Sequence, residues 1–109
     1  MMKVKLTRKE SDYGKIRFDI TDIYKDISSP EESLARAVVF DFLEAIYTIV
    51  CHYEKKGKMK NVQLFVGDND MYLSFEMLEM NQHFDKIIDN MMKYIEGMQQ
   101  FMSLSVITK

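Results

Sequence analysis

Residues 29–57 contain the feature that most constrains the fold, a long helix with signals at both ends. Ser29 suits the N-cap, Pro30 suits the first helical position, and Glu32 completes a capping box. The other end is favoured by basic residues and a glycine, namely Lys55, Lys56 and Gly57. We predict a helix over residues 30–56, about 40 Å long at roughly 1.5 Å per residue.

The apolar arc of this helix covers more than half of its circumference. At about 100° per residue, one face holds Ala35, Val38, Val39, Phe42, Ile46, Ile49 and Tyr53, with Leu43 and Val50 beside it and Phe40 and Tyr47 further round. An ordinary surface helix needs an arc only a little over about 100° wide. We therefore expect the helix to pack on a sheet and also on a second helix or a partner molecule.

Two segments near the N-terminus alternate between apolar and polar residues, which is typical of strands. We predict an antiparallel hairpin with its turn within residues 8–14, where Gly14 can take positive φ. The predicted partners keep apolar side chains together: Leu6 with Ile16, Val4 with Phe18, and Met2 with Ile20.

The stretch VQLFVGDNDMYLSF, residues 62–75, could hold a metal loop or a hairpin turn. Apolar partners pair consistently as Val66 with Met71, Leu64 with Leu73, and Val62 with Phe75. This register leaves Asp68 and Asn69 as a two-residue loop, a position that both residue types tolerate. A calcium loop would need more ligands at fixed spacing and a bidentate Glu near its end. The sequence therefore predicts a hairpin and no metal.

A second, amphipathic helix is predicted over residues 81–102, capped by Asn81. The tail SLSVITK has strand propensity and would add an edge strand or fray. The order β-β-α-β-β-α predicts one α+β domain over residues 1–109. It would be a two-layer sandwich with a four-stranded, mostly antiparallel sheet and two helices on one face. The strand order does not follow from these patterns.

The composition narrows the function classes. The 15 basic and 17 acidic residues give a net charge of −2, too balanced to indicate nucleic acid or an anionic membrane from global charge. The one cysteine excludes an internal disulfide. No apolar stretch has the length of a signal peptide or a membrane span, so we expect a cytoplasmic protein with no membrane partner. The 10 methionines suit core gaps or an adaptable binding surface.

Cys51 and His52 have the residue types of a nucleophile and its base. Adjacent helical residues do not face each other, and no third residue is evident that would orient the base. We therefore predict a structural or surface pair, and no enzyme.

Two groups of residues could hold a cation. One is His83, Asp85 and Asp89 at the start of the second helix, where the helix dipole already explains the acidic residues. The other is Asp19, Asp22 and Asp26, interpreted as a solvated strand end, with a cation or a basic partner as the alternative. A zinc site usually needs three or four suitable ligands. We predict no metal and no cofactor.

The solvent side of the predicted sheet is the most suggestive surface. It would carry Lys3, Lys5, Lys15 and Arg17 from the first hairpin and Gln63, Phe65, Tyr72, Ser74 and Glu76 from the second. Phe65 and Tyr72 would be cross-strand partners that point away from the core. Such a surface suits single-stranded nucleic acid, which stacks bases on rings, or a protein interface. Cross-strand aromatic pairs also simply stabilise sheets.

We interpret the chain as a non-catalytic protein-binding protein, a small inhibitor or regulator of a larger macromolecular partner. Phage or mobile-element anti-defence proteins and immunity proteins have this general character. The alternative is a single-stranded nucleic-acid-binding domain that uses the sheet. The predicted partner surface is Lys3, Lys5, Lys15, Arg17, Phe65 and Tyr72, with Phe40 and Tyr47 on the helix. A homodimer through either helix would also use the excess apolar surface.

Overall fold

The computed structural model describes residues 4–11, 14–22 and 29–108, and it confirms the predicted two-layer α+β fold. The elements are β1 Val4–Ser11, β2 Lys15–Asp22, α1 Pro30–Lys55, β3 Met59–Val66, β4 Asp70–Met77, α2 Gln82–Met98 and β5 Leu104–Thr108. The sheet is five-stranded, in the order β3-β4-β2-β1-β5. β5 runs parallel to β1, and the other neighbouring strands are antiparallel.

Both helices pack on the same face of the sheet. The ring of Phe42 in α1 lies edge-on to Phe18, with the centroids 5.5 Å apart. The ring of Phe84 in α2 lies edge-on to Phe75 at 5.8 Å. The strand residues that meet the helices are fully or almost fully buried. Within the described part of the chain, the opposite face of the sheet therefore has no helix over it.

The start of α1 follows the predicted capping pattern. The Glu32 backbone N–H donates to Ser29 Oγ at 3.2 Å, and Pro30 is the first helical residue. The helix ends at Lys55, one residue before the predicted end. Residues across its wide apolar arc pack into the core, where Ala35, Val39, Leu43, Ile46 and Val50 are fully buried.

The second helix begins as predicted and ends earlier. Asn81 Oδ1 accepts a hydrogen bond from the Phe84 N–H at 3.0 Å. The α-helix stops at Met98, and Gln99–Phe101 form a 3₁₀ turn instead of the predicted last helical turn. The chain leaves the helix there because Met102 and Leu104 return to the core, where both are buried. The tail then forms β5, so the predicted edge strand is present.

The predicted register of the first hairpin is wrong. Leu6 pairs with Ile20, and Arg8 rather than Val4 pairs with Phe18. Strand β1 continues to Ser11, which pairs with Lys15, so residues 8–11 lie in the strand. Met2, in the third predicted pair, lies outside the described residues. The two registers differ by an even number of residues, so the apolar side chains keep the predicted face.

Arg8 explains why the strand continues beyond the apolar segment. Its guanidinium Cζ lies 5.8 Å from the Phe18 ring centroid on the helix-covered face. The guanidinium pairs with Glu10 and, at 3.3 Å, with Asp89 of α2. A basic side chain can occupy this face because its stem covers an apolar ring while its charge meets carboxylates at the edge.

The second hairpin follows the predicted register near its turn. Val66 pairs with Met71 and Leu64 with Leu73, and the Gly67 N–H donates to the Asp70 carbonyl at 2.8 Å. The predicted pair of Val62 with Phe75 falls where the register shifts, between Lys60 and Gln63, so the regular ladder is interrupted there. Asn61 lies within this irregularity with φ 54°, a conformation that Asn adopts more readily than most residues.

Two glycines with the same backbone conformation give a stability prediction. Gly14 and Gly57 both have φ 73°, but a Cβ on Gly14 would lie 2.9 Å from the Met77 carbonyl oxygen, whereas one on Gly57 would meet nothing within 4 Å. We expect Gly57→Ala to lower the free energy of unfolding by about 1 kcal/mol and Gly14→Ala to lower it by roughly 2–3 kcal/mol. Urea unfolding measures both, and equal losses would contradict the predicted clash.

Candidate partner-binding surface

The uncovered side of the sheet presents the alternate residues of strands β1 to β4. We call this surface the outer face. Its residues are Lys5, Thr7, Lys9, Ser11, Lys15, Arg17, Asp19, Thr21, Lys60, Gln63, Phe65, Asp70, Tyr72, Ser74 and Glu76. Most of them are half-buried or exposed, while Thr7 is buried between neighbouring strands. The predicted aromatic and basic residues of the sheet that the structure describes therefore do lie on one surface.

Phe65, Tyr72 and Arg17 form a continuous stack across three strands. The rings of Phe65 and Tyr72 are 5.4 Å apart with 19° between their planes. The Arg17 Cζ lies 3.9 Å from the Tyr72 ring centroid. Because β4 lies between β3 and β2, Phe65 and Arg17 approach Tyr72 from opposite sides. Both faces of the Tyr72 ring are therefore covered, and one face of Phe65 remains open toward the edge of the sheet.

Asp19 holds Arg17 in this position. The Arg17 Nε donates to both carboxylate oxygens of Asp19, at 2.9 and 3.1 Å. Lys9 Nζ lies 3.9 Å from the same carboxylate. Asp19 thus has basic partners from its own strand and from β1, so the solvated strand end predicted for it is wrong. Only the backbone of Asp22 is described, and Asp26 lies outside the described residues.

The remaining charges on the outer face are mixed. Glu76 on β4 pairs in register with Lys15 on one side and Lys60 on the other, and its side chain accepts a hydrogen bond from Asn61. Lys5 is half-buried and Lys15 is exposed. Lys3 lies outside the described residues. Basic side chains outnumber acidic ones here, but carboxylates are interspersed among them.

Phe40 and Tyr47 lie apart from this surface. They belong to α1, which packs against the other face of the sheet, and both are half-buried. The Arg36 Cζ lies 4.9 Å from the Phe40 ring centroid. The hydrogen bond between Tyr47 and the Cys51 side chain, together with repulsion from that thiol's charged form, raises the pKa of Tyr47 above its usual value. The predicted partner residues therefore divide between two surfaces.

Cys51 and His52 have different neighbours. Cys51 is half-buried, and its side chain forms a hydrogen bond with that of Tyr47, one helical turn earlier. The exposed His52 ring lies edge-on to Tyr53, with centroids 5.8 Å apart. The thiol of Cys51 therefore has the Tyr47 phenol as its hydrogen-bond partner, while the imidazole of His52 contacts Tyr53.

The acidic residues at the start of α2 are also spread out. Asp89 pairs with Arg8, while His83 is exposed. Within residues 4–11, 14–22 and 29–108, no group of three or more His, Cys, Asp or Glu side chains is arranged to hold a metal ion.

An apolar groove between the two helices forms a second surface. It has a volume of about 480 Å³ and is lined by Val38, Asp41, Phe42, Asn90, Met91, Tyr94 and Ile95. Tyr94 is 67% exposed at its rim. Both helices, each of which the sequence predicts as a candidate homodimer surface, contribute to this groove.

Sequence reasoning missed two basic residues of the outer face, Lys9 and Lys60. Lys9 was missed because the strand was expected to end before it, although the alternation of Lys5, Thr7 and Lys9 is a usable signal. Lys60 faces outward because of the irregularity at Asn61, which shifts the alternation of β3 by one residue. No local sequence pattern predicts such an irregularity.

In comparisons with known proteins, no family model and no curated protein matches the chain. None of the helices in the described segments is long and apolar enough to cross a bilayer.

Proposed function

We propose that the chain is a non-catalytic protein-binding protein, a small cytoplasmic inhibitor or regulator that binds a larger macromolecular partner through the outer face. The observation that supports this most is the stack of Phe65, Tyr72 and Arg17 on a sheet face that no described helix covers. Phage-encoded inhibitors and immunity proteins share the general character proposed for this chain.

The stack has the chemistry of an interface centre. Tyr, Phe and Arg are enriched in protein interfaces, and the residues that dominate affinity are often Tyr and Arg. Arg17 is already fixed by Asp19 and by the Tyr72 ring, so binding would lose little side-chain entropy there. The interspersed charges around the stack suit the polar rim of such an interface.

The alternative, a single-stranded nucleic-acid-binding domain, has weaker support. Base stacking needs an open aromatic face, whereas Tyr72 has Phe65 on one face and Arg17 on the other. The Arg17 guanidinium is also paired with Asp19 rather than open to a phosphate. Among the described residues, the features that favour this function are the free face of Phe65 and four lysines, Lys5, Lys9, Lys15 and Lys60.

Site-specific photo-cross-linking tests the proposed protein partner. A photoreactive phenylalanine analogue replaces the exposed Gln63 beside the stack in one sample and the exposed Lys93 of α2 in the matched control. In extract from cells that naturally express the chain, we expect position 63 to give a discrete adduct to a protein other than a second copy of this chain, and position 93 to give none. Adducts from both positions alike, or to nucleic acid, would contradict the proposal.

A salt titration tests the alternative directly. We expect a labelled single-stranded oligonucleotide to bind too weakly to show the steep salt dependence of phosphate contacts, which is about 0.7–0.9 log units of affinity per contact per decade of salt. Fluorescence anisotropy measures this, with Lys15→Ala on the outer face and Lys93→Ala on α2 as the matched pair. Tight binding with that dependence, reduced by Lys15→Ala alone, would favour the nucleic-acid function instead.

A further inference from the structure

Strand β3 is an edge of the sheet and is only partly protected. Three consecutive large apolar side chains on it are accessible: Leu64 at 37%, Phe65 at 43% and Val66 at 63%. Leu64 and Val66 project on the helix side and Phe65 on the outer face, so both sides of the same edge are apolar. The opposite edge strand, β5, is shorter, and the side chains it leaves accessible to solvent include the polar Ser105 and Thr108.

Among the strands of the described residues, none pairs with the outer side of β3, so half of its backbone hydrogen-bonding groups face away from the sheet. The Gly67 N–H donates to Asp70 of β4. Because hydrogen-bonding direction alternates along an antiparallel strand, Gln63 and Phe65 also direct their backbone groups to β4. Leu64 and Val66 then direct theirs to the open edge. An exposed apolar edge of this kind is a template for pairing with another strand.

We propose that β3 pairs antiparallel with β3 of a second copy of this chain, with Phe65 on the two-fold axis, so that the two sheets form one continuous sheet. This register places Leu64 opposite Val66 of the other copy, twice by symmetry. The two most accessible apolar positions on the helix side therefore cover each other. A register shifted by two residues would place Phe65 opposite Gln63 in one direction, and Leu64 opposite Asp68 in the other.

Phe65 fits the axis of this arrangement. Its backbone groups point to β4, so Phe65 and its symmetry mate would form a non-hydrogen-bonded pair, with Cα atoms about 4.5 Å apart. Side chains approach closely in such pairs. The open face of each Phe65 ring would meet the other ring, which extends the stack of Phe65, Tyr72 and Arg17 across the dimer.

The charges along the edge favour the antiparallel direction. The N-terminal side of β3 carries Lys58 and Lys60, and the loop beyond its C-terminal end carries Asp68. Antiparallel pairing brings Lys60 of one copy toward the loop of the other, whereas parallel pairing would place like charges together. Like charges that face each other across strands are destabilising.

The dimer does not depend on the proposed partner, so the two proposals are tested separately. Sedimentation equilibrium on the full chain should give twice the 12.9 kDa chain mass. We expect Val66→Lys to raise the dimer dissociation constant at least about tenfold, because a charge on an apolar edge blocks pairing. Tyr94→Lys, in the groove between the helices, is the matched control and should leave the dimer intact. A monomer at high concentration, or a dimer lost only with Tyr94→Lys, would overturn the proposal.

A cross-link checks the register without relying on loss of association. In a Cys51→Ser background, Phe65→Cys should oxidise to a covalent dimer, since Cα atoms about 4.4–6.8 Å apart suit a disulfide. Leu64→Cys should cross-link poorly with itself, because its predicted partner is residue 66. Equal cross-linking at positions 64 and 65 would overturn this register.

Discussion

Phe18→Ala is expected to lower the free energy of unfolding by about 3–5 kcal/mol, the usual loss when a buried aromatic ring is deleted. Phe18 is fully buried on the central part of the sheet. Its ring contacts Phe42 of α1 edge-on and stacks with Phe75 at 6.4 Å. The Arg8 guanidinium lies over the same ring, with its Cζ 5.8 Å from the ring centroid. The substitution would therefore leave a cavity between the sheet and α1, which relaxation fills only in part.

Urea unfolding of Phe18→Ala and Phe101→Ala measures this effect. Phe101 is 76% exposed, so its loss should change stability by no more than about 0.5 kcal/mol. A domain of this kind has roughly 5–15 kcal/mol in total, so Phe18→Ala could fail to fold. Phe18→Leu then provides a milder test, with an expected loss of about 1–2 kcal/mol. Equal effects at positions 18 and 101 would contradict the described core.

Tyr72→Ala is expected to weaken binding of the proposed protein partner by about 2 kcal/mol or more, roughly thirtyfold in affinity. Tyr72 is the middle of the stack, so its removal separates Phe65 from Arg17. The stability of the free chain should fall by only about 1 kcal/mol, because cross-strand aromatic and cation–π contacts at exposed sites are each worth that much or less.

Calorimetric titration and urea unfolding of the same variant separate the two effects. Tyr94→Ala is the matched control, since it removes an exposed tyrosine from the helix side. The oligomeric state of each variant is measured alongside. If Tyr72→Ala lowers stability but leaves affinity unchanged, the stack only stabilises the sheet. If Tyr94→Ala has the larger effect on affinity, the partner binds the groove between the helices.

The sequence predicts the parts of this fold that depend on local signals. The Ser29 and Asn81 caps, the loop at Asp68 and Asn69, and the outward direction of Phe65 and Tyr72 follow from residue type and spacing. The register of the first hairpin does not follow, because Arg8 lies on the apolar face and only its contacts with Phe18 and Asp89 make that position favourable. A pattern that treats every arginine as outward-facing ends the strand too early.

For the outer face, the sequence predicts most of the residues that belong to it, but only some of the contacts between their side chains. That Phe65 and Tyr72 are neighbours follows from the hairpin register. That Arg17 covers the second face of Tyr72 depends on β2 pairing with β4, a strand order that no local pattern contains. Phe40 and Tyr47 lie apart from the sheet residues because the helix that carries them packs on the other side, a separation that the predicted two-layer fold already implies.

Hydroxyl-radical footprinting of the free chain and of its complex with the cross-linked partner tests most directly whether the outer face is the binding surface. Tyrosine and phenylalanine side chains report their own accessibility, so Tyr72 and Phe65 monitor the outer face while Tyr94 and Phe101 monitor the helix side. We expect Tyr72 to become protected in the complex and Tyr94 and Phe101 to keep their reactivity, while Phe65, which the proposed dimer covers already in the free chain, changes less. Protection of Tyr94 or Phe101, with Tyr72 unchanged, would contradict this expectation.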